Sequence, residues 1–236
     1  MRDILNEAGD RISGEFRVGI IPTIAPYLLP LFVRSFAERY PQVSLIIEEL
    51  QTQPILHRLR NDTLDAGILA TPLHTQGIVE EVLYYEPFVA YISRSHPLFT
   101  KKELEVRDLS GRNIWLLSEG HCFREQALRI CGERQETELP HVRFESGNLE
   151  TLKRLVEQND GMTLLPWLAV QELNDEHRQL VRPFSGKVPT REISIVYNRA
   201  YLKKSLIDAF AKEIHTVLPT DMTTREGRFI VELHDE

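Results

Sequence analysis

The chain has 236 residues, 42% hydrophobic and 27% charged, and its 28 Lys and Arg against 35 Asp and Glu leave a formal net charge of −7. That composition excludes a disordered or fibrous chain and suits one large or two small domains with a real core. The negative balance argues against a protein that coats nucleic acid by overall electrostatics, and two cysteines do not make a secreted disulfide scaffold.

The most apolar stretch, Ile24 to Val33, is broken by Pro26 and Pro30 and stopped by Arg34, so no segment spans a membrane. The opening MRDILNEAGDRISGEF lacks the charged, apolar, small-residue order of a secretion signal. The expected location is the cytoplasm, where a cysteine is ordinarily a small buried hydrophobe.

In chain order, the β-branched run Phe16 to Ile21 predicts a strand, and Leu28, Leu29, Phe32 and Phe36 recur at helical spacing in a helix from about Pro26 to Arg39. Tyr40-Pro41 ends it, because the residue before proline disfavours the helical region. A strand at Val43 to Ile47, a helix at about Pro54 to Arg60 and a strand at Ala66 to Ala70 complete a β-α-β-α-β unit. Right-handed crossovers and a mostly parallel sheet follow. A second unit reads as strands at Phe88 to Ile92 and Asn113 to Leu117, a helix at about Cys122 to Ile130, and a helix at Leu149 to Gln158 between Asn148 and Gly161. Then come a strand at Met162 to Leu165, a helix opened by Pro166, a strand at Ile193 to Tyr197 and a final helix at Leu202 to Val217. The expected fold is α/β: two Rossmann-like lobes joined by two crossovers, with ligands at the carboxyl ends of strands in the crevice between the lobes.

Five phrases carry a resemblance: GIIPTIAPYLLPLFVRSFAERYP, LRNDTLDAGIL, SHPLF, RDLSG and NDGMTLLP. In this order, over roughly residues 14 to 200, they resemble the effector-binding domain of LysR-type transcriptional regulators, a periplasmic-binding-protein-like fold. The resemblance implies the tail of a linker helix at 1–13, a first regulatory lobe at 14–87 and 195–236, and a second lobe at 88–194. It also implies a DNA-binding helix-turn-helix head that is absent from this chain. Within that family, SEGHCFREQALRIC is similar to the peroxide-sensing branch. The match rests on Gly120, His121, Cys122, Arg124, Gln126 and, nine positions after the first cysteine, Cys131; Glu125 stands where that pattern has Asp.

A cysteine that attacks peroxide does so as a thiolate, so it needs a lowered pKa and solvent access. Cys122 lies at the expected start of a helix, where unpaired N–H groups and the macrodipole favour an anion, and His121 and Arg124 are neighbouring donors. On position alone it reads equally well as a small helix-entry residue. Phe123, Ala127, Ile130 and Cys131 fall on one apolar face, which makes Cys131 core filler in the reduced state. Nine residues of helix rise about 13–14 Å and turn about 900°, whereas a disulfide needs Cα atoms roughly 4.4–6.8 Å apart. If the two cysteines pair, the helix between them must unwind.

The resemblance implies that Cys122 is oxidised by hydrogen peroxide and then joined to Cys131. It places hydroxyls of Thr23 and Thr52, the His121 ring and the Arg191 guanidinium around the peroxide, with Arg124, Glu125 and Gln126 in support. That chemistry is sensible: hydroxyls donate to and accept from peroxide, and a cation favours the thiolate and the developing oxyanion. Taken singly, Thr23 and Thr52 read equally well as turn or cap residues, and Arg191 as a solvated strand end. The resemblance further implies a homodimer or tetramer, DNA bound through the missing head, RNA polymerase as partner, and reduction by glutaredoxin or thioredoxin. No cofactor and no metal are expected: the eight histidines form no HExxH or closely spaced set, and no Walker, GxGxxG or GxSxG motif is present. The charged runs KKELEVRD and LKRLVEQND read as solvated surface. Three other readings stay open: a LysR-type domain for a small anionic effector, a thiol peroxidase, and a periplasmic-type binding protein.

Overall fold

The computed structural model describes residues 12–109, 113–132, 135–136, 147–198 and 203–233. The elements in order are β1 (Gly14–Ile20), α1 (Ala25–Arg39), β2 (Val43–Glu49), α2 (Thr52–Arg60), β3 (Ala66–Thr71), β4 (Ile78–Ile92) and β5 (Asn113–Ile114). They continue with α3 (Cys122–Cys131), β6 (Gln135–Glu136), α4 (Leu149–Gln158), β7 (Met162–Pro166), α5 (Asp175–Arg178), β8 (Val181–Arg182), β9 (Val188–Asn198), α6 (Lys204–Val217) and β10 (Arg228–Ile230). The chain divides into a unit that ends at Tyr84 and resumes from Ile193 to Thr224, and a unit from Tyr85 to Glu192 that includes the segment from Arg225. The expected linker-helix tail lies outside the described residues except at positions 12 and 13, as does the first residue of the expected final helix, Leu202. The segment from Arg225, assigned above to the first lobe, pairs instead with β9 at Val188 to Thr190.

In the first unit β1 runs parallel to both β2 and β3, and β9 is next in order beyond β3. Its core gathers Phe16 of β1, Phe32 and Phe36 of α1, and Phe210 of α6, whose ring meets the other three edge-on at 5.4, 5.1 and 5.2 Å between centroids. Such pairs add about 0.5–1.5 kcal/mol beyond the area they bury. Arg39 at the end of α1 meets the buried Glu213 of α6 at 2.9 Å. Glycines in the strands let α2 lie close. A Cβ on Gly67 would come within 2.5 Å of Ile55, and one on Gly19 within 2.9 Å of Ile55 and Leu64.

The second unit has a mixed sheet. β4 is antiparallel to β7 and to β8, and β7 is parallel to β5, which is parallel to β6. α4 starts where expected: the Asn148 side chain accepts from Glu150 N at 2.8 Å.

Four elements differ from expectation: β9 begins five residues before Ile193, Pro166 closes β7 and is followed only by a 3-10 turn at Trp167–Val170 in place of a helix, and β4 and β5 depart as follows. β4 begins ten residues before Phe88, because its early carboxylates are partnered. Glu80 accepts from Leu73 N at 3.2 Å, and Glu81 meets Lys204 at 3.0 Å. A charge that finds a partner does not end a strand. Conversely, only Asn113–Ile114 of the NIWLL run is strand. Trp115 still bonds Met162 O through its backbone N at 2.8 Å, and the chain then leaves the sheet toward α3.

Replacing Asn148 by Ala removes the cap of α4. We expect a loss of about 1 kcal/mol in urea unfolding; an unchanged midpoint would show that the cap contributes nothing.

Candidate functional site

The site in the second unit starts from the carboxyl end of β5. From Ile114 the chain runs out to Gly120, whose φ of 84° is a left-handed turn that a side chain disfavours. His121 then adopts an extended conformation and Cys122 is the first residue of α3. Arg124 fastens this turn in two ways: its backbone N donates to His121 O at 2.9 Å and its guanidinium to Leu117 O at 2.9 Å. The Gly-His-Cys phrase is therefore a strand-to-helix turn that presents a half-buried thiol at a helix N-terminus, where the local field favours a thiolate.

His121 is buried, 6% exposed. The backbone of Gly147 lies so near its ring that an added Cβ would fall 2.7 Å from Nε2. Burial holds the imidazole below its usual pKa of 6.5, so it is neutral at pH 7. A neutral ring carries one donor and one acceptor and no positive charge.

The inner face of α3 carries Phe123, Gln126, Ala127, Ile130 and Cys131, all buried. Both cysteines are thiols not joined in a disulfide, with Cys131 only 3% exposed. They begin and end one continuous ten-residue helix. Gln126 is the polar member of that face. Its Nε2 donates to Val231 O at 2.8 Å, while its buried Oε1 has no donor among the described residues. Glu125 is exposed on the outer face.

Arg191 is a buried residue of β9, 1% exposed, and not a solvated strand end. Its Nε and Nη2 donate to Glu86 Oε2 at 3.0 and 2.7 Å. Glu86 Oε1 accepts from Leu168 N at 2.8 Å. The guanidinium carbon also lies 5.4 Å from the centre of the Phe123 ring, which packs on Phe88 at 5.2 Å. The cation is thus set beside the residue that follows Cys122, with its charge balanced by a buried carboxylate. Glu86 escaped the sequence reading, although a lone acid before proline in LYYEPFVAYI is the signal that could have found it.

The two threonines belong to the first unit. β1 and β2 are in register at Ile20 and Glu49, and Thr23 and Thr52 each follow three residues later. Both therefore lie at the carboxyl ends of neighbouring parallel strands, where α/β folds bind ligands. Both are buried, and Thr52 Oγ1 has no hydrogen-bond partner among the described residues. Among the described residues no group of three His, Cys, Asp or Glu is arranged to hold a metal ion, and no helix is long and apolar enough to cross a membrane.

Two outcomes follow from this geometry. Glu86→Ala leaves the Arg191 guanidinium buried without its carboxylate, which costs about 3–5 kcal/mol; Glu86→Gln keeps an acceptor and should lose less. A urea midpoint for Glu86→Ala equal to that of the parent would overturn the assignment. For His121, the unfolded chain takes up a proton as pH falls through about 6.5 while the folded chain resists, so stability should drop as pH falls from there toward the lowered native pKa. His121→Asn should flatten that slope between pH 7 and 5; an identical slope would mean that another group causes it.

The model of the LysR substrate binding domain matches residues 9–219. A hydrogen peroxide-inducible genes activator of Dickeya chrysanthemi is 32% identical over 197 residues, 84% of this chain and 64% of that protein. The DNA-binding transcriptional dual regulator OxyR of Escherichia coli K12 is 31% identical over 214 residues, 91% of this chain and 70% of that protein. The chain thus spans about two thirds of the length of these curated relatives. The crystal structure of an OxyR mutant from Porphyromonas gingivalis superposes with a TM-score of 0.83 at 32% identity, covering 92% of this chain and 100% of that one. A strand-to-helix turn bearing Gly-His-Cys, on a fold and sequence matched along most of their length, assigns the protein: the chain belongs to the LysR family, as a substrate-binding domain of the OxyR kind.

Proposed function

We propose that this chain is the hydrogen-peroxide-sensing regulatory domain of a transcription regulator. The observation that carries the reading is the pair of cysteine thiols at the two ends of one helix, the first half-buried at its N-terminus and the second buried at its end. In the first step the Cys122 thiolate attacks one oxygen of peroxide. The O–O bond breaks, the sulfur becomes a sulfenic acid, and the departing hydroxide takes up a proton and leaves as water. In the second step the Cys131 thiol displaces that hydroxyl as water, and a Cys122–Cys131 disulfide forms. The second step requires α3 to unwind and Cys131 to leave the core, which turns a chemical event into local refolding.

The neutral His121 ring beside Cys122 supports a role as hydrogen-bond partner or proton acceptor for the thiol. The hydroxyls of Thr23 and Thr52 and the Arg191 guanidinium are assigned to peroxide by the family resemblance, each as a donor to an oxygen. Arg124 and Gln126 serve instead to hold the turn and the helix, and Glu125 places an acid in the first turn of α3, which the helix dipole favours. The reaction is stoichiometric, one oxidation per signal, and not enzymatic turnover. Reduction by glutaredoxin or thioredoxin resets it. Oxidation repositions the partners of a homodimer or tetramer in the cytoplasm, and through them DNA-binding heads and RNA polymerase.

Peptide mass analysis after one equivalent of peroxide tests the assignment. The parent should give the disulfide, Cys131→Ser a trapped sulfenic acid, and Cys122→Ser neither. A parent that stays reduced would sink the sensor reading, and sustained peroxide consumption with a reductant would make the protein a thiol peroxidase. Amide exchange across 122–131 should accelerate on oxidation; unchanged protection would remove the unwinding step.

A further inference from the structure

The chain does not end its structural role with α6. β10 runs parallel to β9, pairing Arg228 to Ile230 with Val188 to Thr190. The next residue, Val231, is 3% exposed and donates its N–H to Thr190 O at 2.9 Å. Arg228 anchors the start of this segment by donating to Tyr85 O at 3.1 Å. From there it offers two backbone carbonyls to the redox helix. Val231 O accepts from Gln126 Nε2 at 2.8 Å, and Glu232 O accepts from the Arg129 guanidinium. Gln126 and Arg129 stand three apart on α3, on one side of the helix and between the two cysteines.

That placement has a mechanical result. The first chemical step occurs at the N-terminus of α3 and leaves the helix intact. The second unwinds the residues from 122 to 131, so both bonds to the C-terminal segment must break before Cys131 reaches the oxidised sulfur. Gln126 is fully buried, so its bond is shielded from water and cannot be exchanged for solvent while the helix stays folded. We propose that Arg228 to Glu232 form a clasp that holds α3 in its reduced, helical form and sets how readily the Cys122 sulfenic acid is resolved by Cys131. Gln126 and Arg129 are its positioning residues; neither touches peroxide in this role. The proposal rests on reading the two cysteines as a redox switch. It needs no further oxidant: sulfenic acid and thiol give disulfide and water.

The test separates the two steps. Three forms are compared with the parent: a chain ended after Gly227, Arg129→Ala, and Arg129→Lys, which keeps a donor for the Glu232 carbonyl. Sulfenic acid formation is timed by a thiol- and sulfenate-selective label in each form carrying Cys131→Ser. Resolution is timed by mass analysis in each form with both cysteines. The thiol–disulfide equilibrium is read in glutathione buffers. Loss of two such bonds corresponds to a shift on the order of tenfold, or about 30 mV for a two-electron couple. The clasp predicts resolution about tenfold faster and a disulfide favoured about tenfold more in the shortened chain. Arg129→Ala should show a smaller change of the same sign and Arg129→Lys should restore the parent values, with the first step unchanged throughout. Should the shortened chain fail to fold, the Arg129 pair decides. Equal resolution and equilibrium in Arg129→Ala and the parent would overturn the clasp, as would a change in both steps alike, which marks general destabilisation. A parent that never forms the sulfenic acid fails at the first step, which identifies the sensor reading, not the clasp, as the error.

Discussion

Nine steps of α-helix separate Cys122 from Cys131, and an α-helix is a poor spring. Its rise sets their Cα atoms about 13–14 Å apart, where a disulfide tolerates roughly 4.4–6.8 Å. The intervening hydrogen bonds cannot stretch to close that gap; they can only be given up. α3 is continuous from one cysteine to the other, so the reduced fold and the cross-linked state exclude one another. Everything else in the second unit can be seen as support for one side of that exclusion. The inner face of α3 buries Phe123, Ala127, Ile130 and Cys131, so the resolving thiol is held where packing, not chemistry, decides its reach.

The surroundings of α3 are built from pieces distant in sequence. β4 contributes Glu86 and Phe88, β9 contributes Arg191, and the C-terminal segment contributes Val231. Arg191 carries its charge inside the fold because Glu86 meets it there, and Glu86 in turn accepts from Leu168 N. A buried pair of this kind is costly to break by removing one member, which gives it more value as a fixed frame than as net stabilisation. Phe123 lies against that frame on the first turn of α3, so the helix N-terminus is anchored even though its far end must be able to leave. The clasp acts on the opposite portion of the helix. Anchoring at one end and a releasable hold at the other is a division that suits a segment which must unwind from a fixed reactive sulfur.

In the first unit the governing feature is smallness. Gly19 and Gly67 leave room for Ile55, which brings α2 down on the sheet. That approach sets Thr52 at the end of β2, as the turn after β1 sets Thr23. A larger residue at either glycine would lift the helix and the hydroxyl with it.

Much of this was legible in the amino-acid order, and the reason is local. Periodicity placed α1, α2 and α4 within two residues of their observed starts, because an amphipathic face and a proline or asparagine at its edge act over a few residues. The pairing problem of Cys122 and Cys131 also needed no tertiary information, since a helix has a fixed rise. What the sequence could not contain is whom each polar group would meet. Whether Arg191 was solvated or buried depended on Glu86, 105 residues away. Which carbonyl the Gln126 amide would meet depended on Val231, again 105 residues away. The first ten residues of β4 were hidden because their carboxylates suggest a loop until Leu73, Lys204 and Arg191 come to neutralise or bond them. Sequence by itself determined the amphipathic helices and the geometric conflict between the cysteines, because backbone propensity and helix rise are short-range. Only tertiary structure decided the frame that holds α3, because buried charges and amides are settled by partners that the fold alone brings near.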